Sequence, residues 1–359
     1  MLSPREAVRN LPTYHPPLGD RTGLRLDFNE NTVGCSPRVL ARLRSIDFET
    51  LARYPERETV ERVVAGYMGT SPDELLLTNG VDEAIHLISE AYLEPGDEVL
   101  LVVPTFSMYE IFAAATGARI TKIPAGQDFA FPTGEILRRV SAKTRLIAVA
   151  NPNNPTGSVA RPSDLLLVAQ SAPNAALLID EAYFEFHGET LLGRWKECPN
   201  IFVARTFSKT YGLAGLRAGL LTSNAEQMSS VRRVASPYNV NSVALACLPE
   251  ALADQSYVHK YVEEVCAGRD RLQAQLQALG IPFWPSRANF VLMRLGSLNI
   301  QFITGMRERG ILVRDRARDP GCEGCVRITL GSTQQTERLL QALRETLLEI
   351  GALRQEVRR

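Results

Sequence analysis

The chain predicts an α/β fold: a large domain with a mostly parallel, seven-stranded-type sheet sandwiched by helices, plus a small α+β domain. Three observations carry that expectation. Short apolar runs recur at Leu75–Thr78, Val99–Val103, Leu146–Ala150, Leu177–Ile179, Ile201–Ala204 and Gly219–Thr222, and such runs read as strands buried on both faces. From Glu74 onward they alternate with helical spacing and turn residues, the pattern of strand–helix–strand units. After about Ala251 the texture changes to one long helical pattern followed by strand-like segments of lower regularity. At 359 residues the chain exceeds one typical domain. The expected division is a large domain over 46–255, with the N-terminal arm 1–45 and the C-terminal segment 256–359 forming the small one.

In order, residues 1–35 are punctuated by Pro4, Pro12, Pro16 and Pro17 and read as an irregular arm, with a short strand-like Leu24–Phe28. Pro37–Ile46 suggests a short helix, Arg53-Tyr54-Pro55 a turn, and Glu58–Tyr67 a helix by its apolar spacing. Asn79-Gly80 turns the chain into a helix whose buried face is Val81, Ile85, Ile88 and Tyr92. The junction exposes backbone N–H groups and a positive dipole end, a place for a phosphate, although many such junctions only turn the chain. Tyr257–Leu279 is a long helix closed by Gly280. Phe290–Met293, Ile311–Val313 and Val326–Leu330 are strand-like, and Ser332 with Gln335 is a capping-box start for a last amphipathic helix.

Composition excludes more than it assigns. Forty basic and forty acidic residues cancel, so no nucleic-acid or anionic-membrane partner is indicated. No run approaches the roughly 18 apolar residues of a membrane span, and the first residues lack the apolar core of a signal peptide. Six scattered cysteines fit a reduced, cytoplasmic protein. Cys322 and Cys325 form a lone Cys-x-x-Cys without a second pair or nearby His, so no metal site is expected.

In a parallel sheet the strands' C-terminal ends line one edge, where open α/β sheets place their ligands. Phe106, Asn154, Asp180, Tyr183 and Lys209 all follow strand ends and can converge there. Lys209, flanked by Thr206, Ser208 and Arg217, is either a solvated surface lysine or a desolvated amine beside an anion site, able to form a Schiff base. Asp180 suits a pyridinium nitrogen, Asn154 and Tyr183 a ring hydroxyl, and Phe106 a ring face. Lysine, aspartate and a phosphate pocket together point to pyridoxal 5′-phosphate; no Gly-x-Gly-x-x-Gly follows a strand, so a dinucleotide is not indicated.

Asn154-Pro155-Thr156-Gly157, Asp180-Glu181-Ala182-Tyr183 and Ser208-Lys209-Thr210 with Gly215-Leu216-Arg217-Ala218-Gly219 resemble, in order and spacing, the class I/II aminotransferase family of fold type I, the aspartate-aminotransferase-like pyridoxal-phosphate enzymes. The resemblance covers nearly the whole chain. Within it, Leu26–Asn31, Arg53-Tyr54-Pro55, Asn289-Phe290, Ile311–Asp315 and Cys325–Thr329 are similar to segments of histidinol-phosphate aminotransferases. The resemblance implies Lys209 as the Schiff-base lysine and Asp180 as the ring-nitrogen partner. It implies Asn154 and Tyr183 at the ring oxygen, and Phe106 stacking where these enzymes usually have tyrosine. Gly80, Val81 and Asp82, with Thr206, Ser208 and Arg217, would hold the cofactor phosphate. Tyr54 would reach that phosphate from a neighbouring subunit, which implies a homodimer with shared sites. Substrate contacts fall to Tyr14, Asn29, Asn154, Arg314 and Arg327, with Arg327 taking an α-carboxylate and Arg314 a distal phosphate. Arg316 and Arg318 stand close enough in the chain to compete with Arg314 for that role.

The expected reaction is transamination in histidine biosynthesis, from histidinol phosphate to 2-oxoglutarate. An aromatic-amino-acid aminotransferase and a threonine-phosphate decarboxylase of the same fold remain as alternatives. A pyridoxal-phosphate-dependent transcription regulator is disfavoured, because the irregular arm leaves no room for a helix-turn-helix.

Overall fold

A computed structural model describes residues 2–9, 11–13 and 19–353. The strands in chain order are β1 (Leu24–Arg25), β2 (Leu75–Thr78), β3 (Glu98–Val103), β4 (Arg119–Pro124), β5 (Thr144–Ala150), β6 (Ala176–Asp180), β7 (Ile201–Thr206), β8 (Gly219–Thr222), β9 (Phe283–Trp284), β10 (Phe290–Arg294), β11 (Ile311–Leu312), β12 (Arg314–Asp315) and β13 (Cys325–Thr329).

Seven of them form one sheet in the order β2-β8-β7-β6-β5-β3-β4. The pairs from β4 through β7 are parallel, whereas β8 is antiparallel to both β7 and β2. Strand β2 therefore points the same way as β7, and only β8 is reversed. The register aligns Ala150 with Asp180, Asp180 with Ala204, Thr206 with Gly219, and Gly219 with Thr78. One edge thus collects the ends of β5, β6, β7 and β2 together with the start of β8.

Both faces of this sheet are covered, as the apolar runs require. Side chains alternate between faces with period two. Leu146, Leu178, Phe202 and Ala204 pack on one face with Val81, Ile85 and Ile88 of the helix Gly80–Tyr92. Ile147, Leu177, Ile179 and Val203 pack on the other with Leu165 and Val168 of the helix Pro162–Ser171. That parity sends Asp180 and Thr206 to the face of the first set, and Glu181 and Arg205 to the opposite one. There Arg205 pairs with Glu181 at 2.9 Å, both buried, pinning the ends of β6 and β7 to each other.

The second unit is the antiparallel sheet β12-β13-β10-β9, packed against the helices Gln255–Ala278 and Thr333–Glu349. Ser332 caps the latter with Gln335 in a reciprocal capping box. Strand β1 pairs in parallel with β11, which fastens the arm to this unit.

Several elements differ from the sequence expectation. The arm contains a helical turn, Glu6–Arg9. The strand expected over Leu24–Phe28 is only two residues long, Leu24–Arg25, with the Leu26 N–H adding one further bond to the Leu312 carbonyl. The helix Pro37–Arg44 packs by Val39 against Ala244 and Leu248 of the helix Ser242–Ala253, on the seven-stranded side rather than with the arm. Edge strand β4 and the short β9 and β12 carry no apolar run and left no signal.

Candidate active site

At the edge where the strand ends meet lies a cavity of about 710 Å³, and Phe106, Asn154, Asp180, Tyr183, Thr206, Ser208, Lys209, Arg217, Arg314 and Arg327 all line it. Asn29, Val81 and Asp82 line it as well. The five residues that the strand pattern expects at one edge, Phe106, Asn154, Asp180, Tyr183 and Lys209, thus line one cavity, together with Asn29, Arg314 and Arg327 from the other unit. Tyr54 is not among them: it is 78 % exposed and stacks on Tyr238 at 4.4 Å between ring centroids. Tyr14 lies outside the described residues.

Lys209 follows β7 in an irregular segment, and its Nζ donates to the Phe28 carbonyl at 3.2 Å. Burial first, then Arg327 and Arg217, bring its pKa down from 10.5 to about 8. An amine in this state reaches its neutral, nucleophilic form near physiological pH. Asp180 ends β6. Burial outweighs its hydrogen bonds and pushes its carboxyl up to about 6, with Asp82 and Glu181 adding repulsion. The Tyr109 hydroxyl donates to its Oδ2 at 2.5 Å, and the Ala182 N–H donates to its Oδ1 at 2.9 Å. A buried carboxylate so placed favours an incoming cation.

Tyr183 sits three residues beyond Asp180 with its hydroxyl accepting from Asn29 Nδ2 at 2.9 Å. Asn29 is fixed in turn: Thr329 Oγ1 donates to its Oδ1 at 3.0 Å, and Asn289 Nδ2 donates to its carbonyl at 3.2 Å. Those bonds hold an asparagine in the left-handed region, which few side chains other than Asn and Asp enter readily. Phe106 presents its ring to the cavity and meets Tyr109 edge-on at 5.8 Å.

Arg327 lies on β13, between β12 and β10, so it is not on an edge strand and is only 4 % exposed. It donates to Asn154 Oδ1 at 2.5 Å and to the Asp27 carbonyl at 2.7 Å. Burial, then Arg316, lower its pKa to about 9. Arg314 stands opposite on β12, its guanidinium 5.1 Å from the centre of the Phe28 ring. Arg316 forms an ion pair with Asp319, and Arg318 also lines the cavity. Three basic residues at 314, 316 and 318 therefore differ in duty: Arg316 is engaged by a carboxylate on its own loop.

The backbone at the start of the helix Gly80–Tyr92 faces Arg217, whose Nη2 donates to Asp82 Oδ2 at 2.9 Å. Gly80 has φ +76°, and a Cβ there would come within 2.6 Å of Arg217 Nη2. The positive φ calls for glycine, and a side chain there would also have to displace the end of Arg217. The arrangement leaves the helix's first N–H groups, the hydroxyls of Thr206 and Ser208 and a guanidinium around one concave spot, which is an anion cradle. The Asp82 carboxylate, an acceptor only, serves Arg217; what Asp82 offers an anion is its backbone N–H.

The residues missed from sequence were Tyr109, Phe28, Asp319 and the buried Glu181–Arg205 pair. Each looks ordinary in the chain. Strand parity or a distant partner marks out most of them: Glu181 and Arg205 are 24 positions apart, Tyr109 and Asp180 71, and Phe28 and Lys209 181.

Cys322 and Cys325 are buried with Leu292, against Phe129 and Trp284. Among the described residues no cluster of three or more His, Cys, Asp or Glu side chains could hold a metal. No described helix is long and apolar enough to cross a membrane.

A parallel-sheet edge carrying a half-buried lysine, a buried aspartate and an anion cradle defines a class of enzyme that handles amino groups through a bound aldehyde. The chain belongs to the aminotransferase class I and II family, whose sequence profile matches residues 21–343. It is 35% identical over 340 residues to histidinol-phosphate aminotransferase 1 of Nostoc sp., covering 94% of this chain and 95% of that one. With the histidinol-phosphate aminotransferase of Roseiflexus castenholzii it shares 37% identity over 353 residues, 91% of this chain and 92% of the relative. Its fold matches the crystal structure of histidinol-phosphate aminotransferase from Sinorhizobium meliloti in complex with pyridoxal-5′-phosphate, with a TM-score of 0.86, 26% identity, and 96% and 97% of the two chains covered. The family's cofactor is pyridoxal phosphate, and the residues present fit it: an amine with a depressed pKa, an acid suited to a ring cation, and a cradle that a Cβ at Gly80 would obstruct.

Proposed function

We propose that this protein transfers the amino group of histidinol phosphate to 2-oxoglutarate, yielding imidazole acetol phosphate and glutamate in histidine biosynthesis, and that it works in the cytoplasm as a homodimer. The observation that carries the donor is the pair of guanidiniums, Arg327 and Arg314, in one cavity with Lys209. A phosphate ester dianion gains from two such charges, and an uncharged aromatic side chain gains from neither.

Bound pyridoxal phosphate would supply an aldehyde for the donor's amine and a cationic ring that withdraws electrons from the donor's Cα. Lys209 would hold the cofactor, and Asp180 its ring nitrogen. Asn154 and Tyr183 would take its ring oxygen, Phe106 its face, and Gly80, Val81, Asp82, Thr206, Ser208 and Arg217 its phosphate. Once the donor's amine has replaced it, Lys209 Nζ moves the proton at the donor's Cα, and its depressed pKa suits it to accept and return that proton near neutrality. Arg327 receives the α-carboxylate of glutamate and 2-oxoglutarate through a planar two-bond fork, and Arg314 adds the charge that the donor's phosphate needs. Asn29 keeps Tyr183 in place, since both its amide atoms are committed.

The large unit spans 46–255 in this reading, with the helix Pro37–Arg44 joined to it by packing; the rest of 1–45 and 256–359 make the small unit. Exposed Tyr54, stacked on Tyr238, would complete a partner's phosphate site. Mixing Tyr54→Ala with Lys209→Ala subunits should then restore about one working site per heterodimer. Lack of recovery on subunit exchange would place Tyr54 outside the site.

The donor is tested by comparing histidinol phosphate and phenylalanine for wild type and Arg314→Ala. The expected result is a loss of kcat/KM on histidinol phosphate of about 10–100-fold, with phenylalanine changed by less than about threefold. Equal losses would favour an aromatic aminotransferase. Release of carbon dioxide from phosphothreonine, without glutamate formation, would favour the decarboxylase.

A further inference from the structure

The helix Met108–Ala115 opens just after Phe106, and its first turn carries Tyr109, a residue 1 % exposed. Its ring lies in the apolar cluster on the face of the sheet toward which strand parity turns Asp180. Its hydroxyl donates to Asp180 Oδ2 at 2.5 Å, and its ring edge meets Phe106 at 5.8 Å with the planes 87° apart. One turn of helix thus touches both groups that would grip the cofactor ring, its stacking face and its nitrogen partner.

We propose that Tyr109 is a positioning residue, whose hydroxyl turns and holds the Asp180 carboxylate for the cofactor's ring nitrogen while its ring sets the tilt of Phe106. This rests on the reading of the cavity as a pyridoxal-phosphate site. A carboxyl group at a strand end rotates freely about χ2 unless its oxygens are tied. Here each oxygen takes one donor, Tyr109 on Oδ2 and the Ala182 N–H on Oδ1, which leaves one lone-pair direction on each for a third partner.

The same bond acts on charge. The groups facing Asp180 are Tyr109 from the helix Met108–Ala115, Asp82 from the helix Gly80–Tyr92, and Tyr183; Glu181, next in the chain, acts on its charge from the opposite face of the sheet. Lys209, Arg217 and Arg327 share its cavity. Burial, Asp82 and Glu181 favour the neutral acid; the Tyr109 and Ala182 donors favour the carboxylate. Tyr109 itself stays protonated, because burial and the adjacent Asp180 hold its pKa far above the ordinary value. It is therefore a permanent donor. Removing its hydroxyl takes away one of two bonds that oppose protonation, so the Asp180 pKa must rise further.

The test is the affinity of the apoprotein for pyridoxal phosphate as a function of pH, read by absorbance titration, in wild type, Tyr109→Phe, Asp180→Asn and the double variant. Wild-type affinity should fall on acidification through about pH 6, where Asp180 takes up its proton. In Tyr109→Phe, which keeps the ring against Phe106, the midpoint should move up by about one unit, leaving binding about fivefold weaker at pH 6 and approaching tenfold weaker below about pH 5. Above pH 8 the two should converge. Asp180→Asn should lose this titration, and adding Tyr109→Phe to it should change nothing more; titration of the ligand's own phosphate is common to all four proteins. Site-specific 3-fluorotyrosine at 109, a stronger donor of nearly the same shape, should move the midpoint down, which keeps the test alive if the phenylalanine variant fails to fold. Unchanged midpoints in both replacements would overturn the proposal. Failure of the wild type to bind pyridoxal phosphate would instead overturn the reading of the cavity.

Discussion

The cavity has two walls of different construction. One is the row of strand ends, where Asp180 is paired on both sides, Thr206 is paired with β8, and Lys209 follows three residues on. The facing wall is the two-residue strand β12 and the loop to Asp319, held by the Arg316–Asp319 ion pair and by Arg314 over Phe28. The first wall belongs to a seven-stranded sheet; the second is an edge, two residues paired with β13 and a loop braced by side chains. A scaffold that fixes the reacting groups and leaves anion reading to a loop can change its substrate without disturbing its chemistry.

The largest effect should follow from breaking the sheet wall. Lys209→Met should lower turnover by about 10³-fold or more on every amino donor alike, since the proton at Cα loses its carrier. The same substitution should stabilise the apoprotein. The folded-state pKa of Lys209 lies below its unfolded one, so the buried amine costs stability at pH values below about 8, and the cost disappears as pH rises toward 10.5. Melting curves at pH 7 should therefore favour the variant by up to about 3 kcal/mol, with the gap closing by pH 10. A variant equally stable at both pH values would show that the amine is better solvated than its surroundings indicate.

Arg327 sharpens the comparison because it sits across from the strand ends yet on a central strand of its own sheet. Arg327→Lys keeps the charge and loses the fork. It should raise KM for glutamate and for the phosphorylated donor together by about 10–100-fold, with kcat changed less. A loss confined to one substrate would move Arg327 into the group of selective residues.

The smallest effect belongs to the loop. Arg316→Ala removes the partner of Asp319 and leaves that carboxylate near Arg314 and Arg327, which shift toward it. Affinity for the phosphorylated donor should fall by about threefold to tenfold, and glutamate should be affected less. A loss as large as that from Arg314→Ala would mean that Arg316 contacts the donor itself.

The same division governed what could be read from the chain. The strand-end residues were legible because an apolar run ending in a polar residue marks a sheet edge, and one edge must gather all such ends. The reversal of β8 was not legible: Gly219–Thr222 is as apolar as its parallel neighbours, and the twelve residues after Thr206 contain no crossover helix, only the turn Ala214–Leu216. Edge strand β4 was hidden by its exposed, alternating side chains. On the loop wall, Arg314, Arg316 and Arg318 were indistinguishable by type; the structure separates them by the Arg316–Asp319 pair and by Arg314's place on β12 over Phe28. Tyr109 was missed because its partner is 71 residues away and its own neighbourhood is an unremarkable helix start.

Asn29 and Thr329 are hydrogen-bonded to each other across 300 residues of chain, and the Phe28 carbonyl beside them holds Lys209. During synthesis the seven strands of the large sheet have all emerged long before Thr329 does, so that sheet can form while its ligand edge still lacks Arg327 and the anchored Asn29. Loop closure over so long a span comes late and slowly. On the proposed roles, affinity for the cofactor and for amino acids would be acquired in two instalments, and a nascent chain stopped short of residue 327 would present an anion cradle with nothing to select the substrate.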